Sequence, residues 1–166
     1  MAINLYDYLA KDQSRLVEVL KFCKNEINMS DEDKIIQISP VAPFISELTL
    51  NQFANIDWEQ HQAAATVSSF NGNSHPWLSG SIEDQRFKFN LGIRVRYPRQ
   101  IRKQLYYPNG CIFARKAHLC DGNLETNDMP ELFYPIVSNE VESINIDTEL
   151  DWCLAKALAY NKPVEE

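Results

Sequence analysis

Residues 34–68 read KIIQISPVAPFISELTLNQFANIDWEQHQAAATVS. The stretch starts with a short β-branched run at Lys34–Ile38, and the prolines at positions 40 and 43 prevent a strand from continuing. A helix is expected from Ser46 to Asn55, and Ala63–Ser68 has the composition of a second buried strand. A strand, a helix and another strand at this spacing predict parallel strands joined by a crossover helix. We therefore expect a three-layer α/β fold with a mainly parallel sheet.

The flanking segments continue this alternation and then interrupt it. Before the stretch, Ser14–Ile27 predicts an amphipathic helix, and Asp12 or Ser14 is available to cap its first turn. Its apolar face is expected to comprise Leu16, Val19, Leu20, Cys23 and Ile27. After the stretch, the alternating patterns at Phe87–Leu91 and Ile93–Tyr97 predict an antiparallel excursion from the main sheet.

The last third of the chain contains two short strand candidates and a helix. The strand candidates are Cys111–Ala114 and Phe133–Val137, and Pro135 restricts the second to a sheet edge or a bulge. Thr148 and Asp151 have the spacing of a capping box at the start of the closing helix. That helix is expected to bury Leu150, Leu154, Ala157 and Leu158.

Composition sets limits on the possible partners. The chain has 166 residues, of which 45% are apolar, and this suits one domain over residues 1–166. Its net charge of −7 argues against a general nucleic-acid-binding protein. One basic cluster runs against this trend, and it is equally compatible with a solvated strand and turn: Arg94, Arg96, Arg99, Arg102 and Lys103.

Cysteine spacing and hydropathy bear on the cellular compartment. The four cysteines have no C-x-x-C spacing and lie in apolar or helical contexts, so we expect buried thiols without a disulfide framework. Residues Met1–Ala10 lack a secretory signal, and no run approaches the roughly 20 apolar residues of a membrane helix. The expected protein is cytoplasmic, with no membrane partner.

Several short motifs occur in an order that is found in a known family. Ile38–Ile45 takes the place of a Leu-Gln-Pro-Thr-Ser-Pro-Leu-Arg stretch, and His75-Pro76-Trp77 matches a His-Pro-aromatic element. Arg99-Gln100 matches the start of an Arg-Gln-Asp-Leu-Pro stretch, followed by Asn109–Phe113 for Asn-Gly-Ala-Ile-Tyr. Asn145–Asp151 matches the Asp-Ile-Asp-Thr-Glu-Leu-Asp element that opens the final helix. Over nearly all of its length, the chain resembles the acylneuraminate cytidylyltransferases, also called CMP-sialic acid synthetases.

The resemblance implies a reaction and a set of site residues. The hydroxyl of a sugar acid would attack the α-phosphate of CTP with the help of Mg²⁺, giving a CMP-sugar and pyrophosphate. The implied fold is a truncated nucleotide-diphospho-sugar transferase domain with a β-rich dimerisation arm from about His75 to Pro108. The implied metal ligands are Asp147 and Asn145, and Arg99 would reach toward the sugar site of the neighbouring protomer. The implied substrate-binding residues are Arg99, Gln100, Asn109 and Phe113.

Other positions depart from the family pattern. Asn145 replaces an aspartate, which predicts a weakened Mg²⁺ site, and Phe113 lacks the hydroxyl of the family's tyrosine. No Ile-Pro-Ala-Arg-x-Gly-Ser-Lys loop precedes Leu16 to hold a triphosphate. The family's Gln, Thr, Ser and Arg are replaced by Ser39, Val41, Ala42 and Ile45, and the apolar replacements suit a core or an interface. We therefore expect the isolated chain to be inactive and to bind a sugar acid rather than CTP.

Each retained residue also has a purely structural interpretation. Asn109-Gly110 is compatible with a tight turn, Asp147 with a carboxylate at a helix terminus, and His75 with a loop residue. Arg99 and Asn109 are expected on the surface or in a pocket, where their loss would leave the fold intact. The core or interface aromatics are expected to be Trp58, Trp77, Phe87, Phe89 and Trp152.

Three functions stay open at this point. The first is a non-catalytic relative that dimerises or binds a sugar acid, and the second is half of a split enzyme completed by a partner chain. The third is an unrelated α/β binding module. Because a truncated sheet exposes a strand edge and apolar helix faces, a homodimer partner or a companion subunit is expected in the first two cases.

Overall fold

A computed structural model describes residues 15–71, 75–91, 98–121 and 132–161. Its helices are α1 (Leu16–Glu26), α2 (Glu47–Ala54) and α3 (Glu149–Asn161). Its strands are β1 (Lys34–Ile38), β2 (Ala63–Ser69), β3 (Gly80–Glu83), β4 (Arg86–Phe89), β5 (Tyr106–Lys116) and β6 (Tyr134–Val137). The predicted first strand and second helix are confirmed, and the Ser46 hydroxyl caps α2 by accepting from the backbone N–H of Thr49 at 3.2 Å.

The main sheet has four strands in the order β1-β5-β2-β6. Strands β1 and β2 both pair with β5 in the antiparallel sense, whereas β6 pairs with β2 in the parallel sense. The strands β1, β2 and β6 therefore share one direction, and β5 runs against them. The α/β class is confirmed, but the sheet is mixed. The expected mainly parallel sheet is thus corrected, because two of the three described pairings within this four-stranded sheet are antiparallel.

The reversal of β5 follows from the path of the chain between β2 and β5. The backbone N–H of Phe70 donates to the carbonyl of Leu105 at 3.0 Å, so this segment leaves the sheet and returns at the same edge. A chain that re-enters a sheet at the edge where it left must run back through it. Strand β5 consequently fills the position between β1 and β2, with Ile36 opposite Ala114 on one side and Ala64 opposite Ala114 on the other.

The core lies between α2 and one face of this sheet. Phe53 of α2 is fully buried and belongs to one cluster with Ala64, Ile112 and Ile136. The small side chains of β2 allow the helix and its neighbours to approach closely. Ala42 is buried in the same cluster, and Ile45 packs against it. Ala42 and Ile45, whose apolar side chains predicted a core or an interface, therefore contribute to the core.

Helix α1 packs elsewhere, against the short 3-10 helix Ala117–Asp121 that follows β5. Its buried positions are Val17, Leu20 and Lys24, whereas Leu16 and Ile27 are exposed, so the predicted apolar face was partly wrong. The cause is Lys24, whose ammonium donates to Asp31 at 2.7 Å and also to Asp121. The proposed caps Asp12 and Ser14 lie outside the described residues.

The predicted antiparallel excursion contains the hairpin β3–β4. Its two turn residues, Asp84 and Gln85, both have positive φ, at 48° and 62°, as a two-residue type I′ turn requires. The alternating stretch Ile93–Tyr97, with Arg94 and Arg96, lies outside the described residues. Of the two described strands of the excursion, β4 was predicted from the pattern around Phe87, and β3 was missed.

Helix α3 begins at the predicted cap. The Asp151 carboxylate accepts from the backbone N–H of Thr148 at 2.8 Å, and the Thr148 hydroxyl accepts from the backbone N–H of Asp151 at 3.3 Å. The predicted buried face was wrong, because Leu150 is 77% exposed and Leu154 is also exposed, whereas Ala155 is buried. Among the helices of the described residues, none is long and apolar enough to cross a membrane.

The cysteines and the sixth strand agree in part with the sequence analysis. Cys111 and Cys120 are buried as free thiols, but Cys153 is exposed. Burial raises the pKa of both buried thiols, so they are protonated at neutral pH and are poor nucleophiles. Pro135 lies in β6, an edge strand, as its missing N–H predicted.

Candidate functional site

Polar side chains gather where the parallel strands of the sheet end. Ser68 and Ser69 close β2, Ser138 directly follows β6, and Ser39 directly follows β1. Strand β5 runs in the opposite direction, so its first half brings Asn109 to the same edge. The carboxyl edge of an open α/β sheet is where such folds bind ligands. This edge is therefore the candidate site.

Asn109 is placed there by a bulge in β5. The register between β2 and β5 shifts between Ala65 and Val67, and Gly110 within the bulge has φ of +78°, a conformation that favours glycine. The Asn109 side-chain oxygen accepts from the backbone N–H of Cys111 at 3.1 Å and from the Thr66 hydroxyl at 2.6 Å. Asn109-Gly110 therefore forms a bulge within a strand, and the tight turn that the pair also allows is not formed.

The other end of the Asn109 amide holds three serine hydroxyls together. Its nitrogen donates to Ser68 at 2.9 Å, to Ser138 at 2.7 Å and to Ser143 at 3.3 Å. The hydroxyls of Ser68 and Ser143 are also 2.6 Å apart, and those of Ser138 and Ser143 are 3.0 Å apart. Such a connected polar network fixes the position of each hydroxyl. Asn109 acts here as the organiser of a serine cluster.

The turn after β6 delivers Ser143 to this cluster. The side-chain oxygen of Asn139 accepts from the backbone N–H groups of Val141 and Glu142, each at 3.0 Å. The Ser143 hydroxyl lies 2.6 Å from the carbonyl oxygen of Asn139. Glu142, buried in the same turn, accepts a hydrogen bond of 2.9 Å from the Thr49 hydroxyl. The turn is thus tied both to the cluster and to helix α2.

A cavity of about 240 Å³ opens beside the serine cluster. Its wall contains Glu140, which accepts a hydrogen bond of 2.9 Å from the Asn71 amide, and Asn71 in turn accepts from the Ser69 hydroxyl at 3.3 Å. Hydroxyls can donate and accept, so this lining suits a ligand that carries several hydroxyl groups. The lining residues are Ser68, Ser69, Asn71, Tyr107, Ser138, Glu140 and Ser143.

The predicted metal pair lies at the same edge of the sheet, beside β1. Asn145 accepts from the Ser39 hydroxyl at 3.2 Å and donates to the Asp147 carboxylate at 2.8 Å. Both ends of the Asn145 amide are therefore occupied by hydrogen bonds within the protein. The described residues contain no group of three or more His, Cys, Asp or Glu side chains arranged to hold a metal ion. One carboxylate beside an occupied amide is a poor donor set for Mg²⁺.

Asp147 also lies directly before the cap of α3. Hydrogen bonds from the Thr148 hydroxyl and then from the Thr148 backbone hold the pKa of Asp151 below its usual range. The Asp147 backbone N–H donates to the same carboxylate at 3.2 Å. Asp147 is an exposed carboxylate at a helix N-terminus, as its structural interpretation predicted.

Gln100 and Phe113, the other predicted substrate-binding residues with described side chains, do not line the cavity. Gln100 is exposed in the short 3-10 helix Arg99–Ile101, and the side chain of Arg99 lies outside the described part of the structure. Phe113 is half-buried inside β5, opposite Gln37 of β1 and Ala65 of β2. Of the three predicted substrate-binding residues whose side chains the structure describes, Asn109 alone is brought to the serine cluster.

His75 has a structural role. Its Nδ1 accepts from the backbone N–H of Trp77 at 3.2 Å, and its Nε2 lies 3.0 Å from the carbonyl oxygen of Lys103. Because a carbonyl only accepts, the Nε2 atom carries the proton and donates. The imidazole is buried and both of its nitrogens are occupied, which agrees with the interpretation of His75 as a loop residue.

The residues that form the cavity were not predicted from the sequence. A signal for them existed, because Ser68 and Ser138 follow buried strand patterns directly, at the positions where parallel strands present ligand-binding groups. Comparison of the sequence with protein-family models and with curated proteins finds no match. Assignment of a function therefore depends on the geometry of this edge and on the motif resemblance.

Proposed function

We propose that this protein is a cytoplasmic, cytidylyltransferase-like relative of the CMP-sialic acid synthetases, without catalytic activity as an isolated chain. In this proposal it binds a nonulosonic sugar acid and forms a dimer. The observation that carries the proposal is the hydroxyl-lined cavity beside Asn109, at the carboxyl edge of the sheet. The free cysteines suit a reducing compartment.

The cavity suits the hydroxyl groups of a sugar acid better than its carboxylate. The hydroxyls of Ser68 and Ser138 each keep one lone pair beyond their bonds within the cluster, so they can accept hydrogen bonds from the hydroxyls of a sugar. Glu140 stands in the same wall and would repel the carboxylate of the ligand. The sugar acid would therefore enter with its hydroxylated side toward the serines and its carboxylate directed to solvent.

Three features favour binding without catalysis. Ala42 and Ile45 contribute to the core at positions where the resembling family has polar groups. Phe113 carries no hydroxyl and lies inside the sheet. Asp147 is the single carboxylate of the predicted Mg²⁺ pair, and its neighbour Asn145 is already hydrogen-bonded at both ends. These residues do not fit a strong Mg²⁺ site.

The hairpin β3–β4 supports the dimerisation part of the proposal. It belongs to the predicted arm from His75 to Pro108, and one of its faces carries Ile82, Phe87 and Phe89, all exposed. An exposed apolar face of this kind is typical of an interaction surface. We also propose that a second copy of the chain completes a three-layer fold. The common direction of β1, β2 and β6 is compatible with such a fold.

Titration calorimetry with N-acetylneuraminate tests the proposal. We expect binding to the wild type, binding about 3- to 10-fold weaker in Ser138→Ala because one hydrogen bond is lost, and no CTP binding that requires Mg²⁺. Ser81→Ala, which removes a hydroxyl from the hairpin, is the matched control and should bind like the wild type. Equal binding by both serine variants would refute the assignment of this cavity.

A second candidate is half of an active enzyme that a partner chain completes. It is favoured by β1, whose outer edge pairs with no described strand. Ile36 and Ile38 are exposed on one face of β1, and the buried side-chain oxygen of Gln37 has no hydrogen-bond partner among the described residues. The test is pyrophosphate release from CTP and N-acetylneuraminate, measured for the chain alone and for the chain purified with any native companion. Activity only in the complex would favour this candidate over the first.

A further inference from the structure

A second and larger cavity lies along β6, beside the end of α2. It has a volume of about 590 Å³ and lies between the last turn of α2 and the outer edge of the sheet. This volume falls in the usual range for small-molecule sites. Its lining residues are Gln52, Asn55, Ile56, Asp57, His61, Tyr134, Pro135, Ile136 and Val137.

One wall of this cavity is aromatic. The rings of His61 and Tyr134 have their centroids 4.7 Å apart and are tilted by 48°. Tyr134 is 41% exposed, and His61 is half-buried, so ring surface is available to a ligand. A flat aromatic ligand can stack on such a surface, and Ile136 adds a buried apolar floor.

A second part of the cavity wall presents hydrogen-bond acceptors. Asn55 donates its side-chain N–H to the carbonyl of Asn51 at 2.8 Å, which leaves its side-chain oxygen as the acceptor. The Asp57 carboxylate accepts from the backbone N–H of Glu59 at 3.0 Å and from the Gln60 amide at 2.6 Å. These two bonds fix the carboxylate and leave it further lone pairs. The wall therefore selects a ligand with N–H donors, such as an amino group on a ring.

Two other kinds of ligand fit less well. A peptide strand could in principle add to the outer edge of β6, but β6 has only four residues, and Pro135 among them cannot donate a hydrogen bond. A phosphate or another anion would meet the Asp57 carboxylate, and none of the described lining residues is a lysine or arginine that could balance it. A planar ligand that carries N–H donors and no negative charge fits this lining better than either.

We propose that this cavity binds the amino-bearing aromatic ring of a nucleoside, with the ring on His61 and Tyr134 and its amino group on Asn55 and Asp57. The site is separate from the serine-lined cavity and does not depend on the proposed sugar-binding function. Phosphate groups on the ligand would add nothing to the affinity.

The test compares adenosine with inosine, which has the same shape but lacks the amino group, by ¹H–¹⁵N NMR titration of the whole chain. We expect adenosine to shift the amide signals of residues 55–61 and 134–137, and inosine to bind about tenfold more weakly. AMP should bind no more tightly than adenosine. Equal affinities for adenosine and inosine, or no shifts at millimolar adenosine, would overturn the proposal.

Two variants complete the experiment. Tyr134→Leu should weaken adenosine binding about tenfold through lost stacking, whereas Tyr106→Leu, which removes an exposed tyrosine outside this cavity, should not. Asp57→Asn keeps the hydrogen-bond acceptor to Glu59 but removes the charge, so it should reduce the preference for adenosine over inosine. A loss of adenosine binding in Tyr106→Leu instead of Tyr134→Leu would contradict this assignment. N-acetylneuraminate binding should be unchanged in Tyr134→Leu, which separates this test from that of the sugar site.

Discussion

The serine cluster and the β3–β4 hairpin are both built on antiparallel strands, but their surroundings differ. Around Asn109, a side-chain oxygen accepts two hydrogen bonds and a side-chain nitrogen serves three hydroxyls, at the edge of a sheet that packs on α2. In the hairpin, Ile82 is 77% exposed and Phe87 is 55% exposed. The first region contains its own stabilising partners, whereas the second presents an apolar face that none of the described elements covers.

The difference indicates which region is stable by itself. An isolated two-stranded hairpin is at best marginally stable in water, and the Lys88–Glu83 pair at 3.5 Å is too exposed to contribute much. The hairpin therefore requires a partner surface, while the sheet edge does not. Four predictions test this contrast, in order of their expected effect on the stability of the sheet.

Asn109→Ala is expected to have the largest effect. It leaves the backbone N–H of Cys111 and the surrounding serine hydroxyls without their shared partner, so the free energy of unfolding should fall by about 2 kcal/mol. Urea denaturation measures this. The matched control is Asn71→Ala, an exposed asparagine on the same cavity, which should change stability by less than about 0.5 kcal/mol. Equal losses in the two variants would contradict the central role of Asn109.

Two glycine substitutions compare the regions directly. Gly110 has φ of +78° with open space around it, so Gly110→Ala should cost about 1 kcal/mol of overall stability through backbone strain. A Cβ at Gly80 would collide with the Lys88 carbonyl and the Phe87 ring, so Gly80→Ala should disrupt the hairpin. Its urea transition should stay close to that of the wild type, while hydrogen exchange of the hairpin amides accelerates. A shifted transition for Gly80→Ala would show that the hairpin supports the sheet.

Acid is expected to weaken the sheet region through α1 and its neighbours. The Lys24 hydrogen bond holds the pKa of Asp31 below its usual value, and the Lys116 hydrogen bond does the same for the pKa of Glu32. A carboxyl group whose pKa is lower in the folded state stabilises the fold fully at pH values above its unfolded-state pKa, which is near 4. This contribution is lost as the pH falls through the folded-state pKa. The urea concentration at the unfolding midpoint should therefore fall as the pH is lowered below about 4. In Lys24→Gln this dependence of the midpoint on pH should be weaker. A midpoint independent of pH down to 3 would exclude these pairs.

The hydrogen bonds from Lys24 to Asp121 and Asp31 raise the pKa of Lys24, so the same pairs have an alkaline limit. A raised lysine pKa gives stability that is present below the unfolded value near 10.5 and is lost as the pH rises through the folded value. The weaker pH dependence in Lys24→Gln should therefore appear at both ends of the pH range.

Phe87→Ser is expected to have the smallest effect on stability and a clear effect on assembly. The Phe87 and Phe89 rings lie 4.9 Å apart, edge to face, on the exposed side of the hairpin. Light scattering should give a dimer mass for the wild type and a monomer mass for Phe87→Ser, with unchanged urea midpoints at low concentration. A monomer mass for the wild type at high concentration would contradict the proposal that the hairpin mediates dimerisation.

Local patterns in the sequence predicted several elements because the causes are local. The β-branched run at Lys34–Ile38, the Ser46 cap and the Thr148 cap depend on neighbours within four residues. Local patterns could not predict the direction of β5, because this direction depends on where the chain returns to the sheet. The hydrogen bond between Phe70 and Leu105 shows that return point in the structure.

The faces of the helices and the site depend on distant partners. Lys24 is buried in α1 because Asp121, almost a hundred residues later, accepts its hydrogen bond. Asn109 was predicted as a site residue, but its hydrogen bonds to Ser138 and Ser143 form only because the turn after β6 lies beside β5. Serines are common in loops, and no spacing within the sequence brings these hydroxyls together.

The most direct test of the proposed function is a ¹H–¹⁵N NMR titration of the whole chain with N-acetylneuraminate. If the serine-lined cavity binds the sugar, signals of residues 68–71 and 138–143 shift first, and the hairpin signals of residues 80–89 stay in place. Shifts confined to other residues, or none at tens of millimolar sugar, would contradict the proposal that this edge of the sheet is a sugar site.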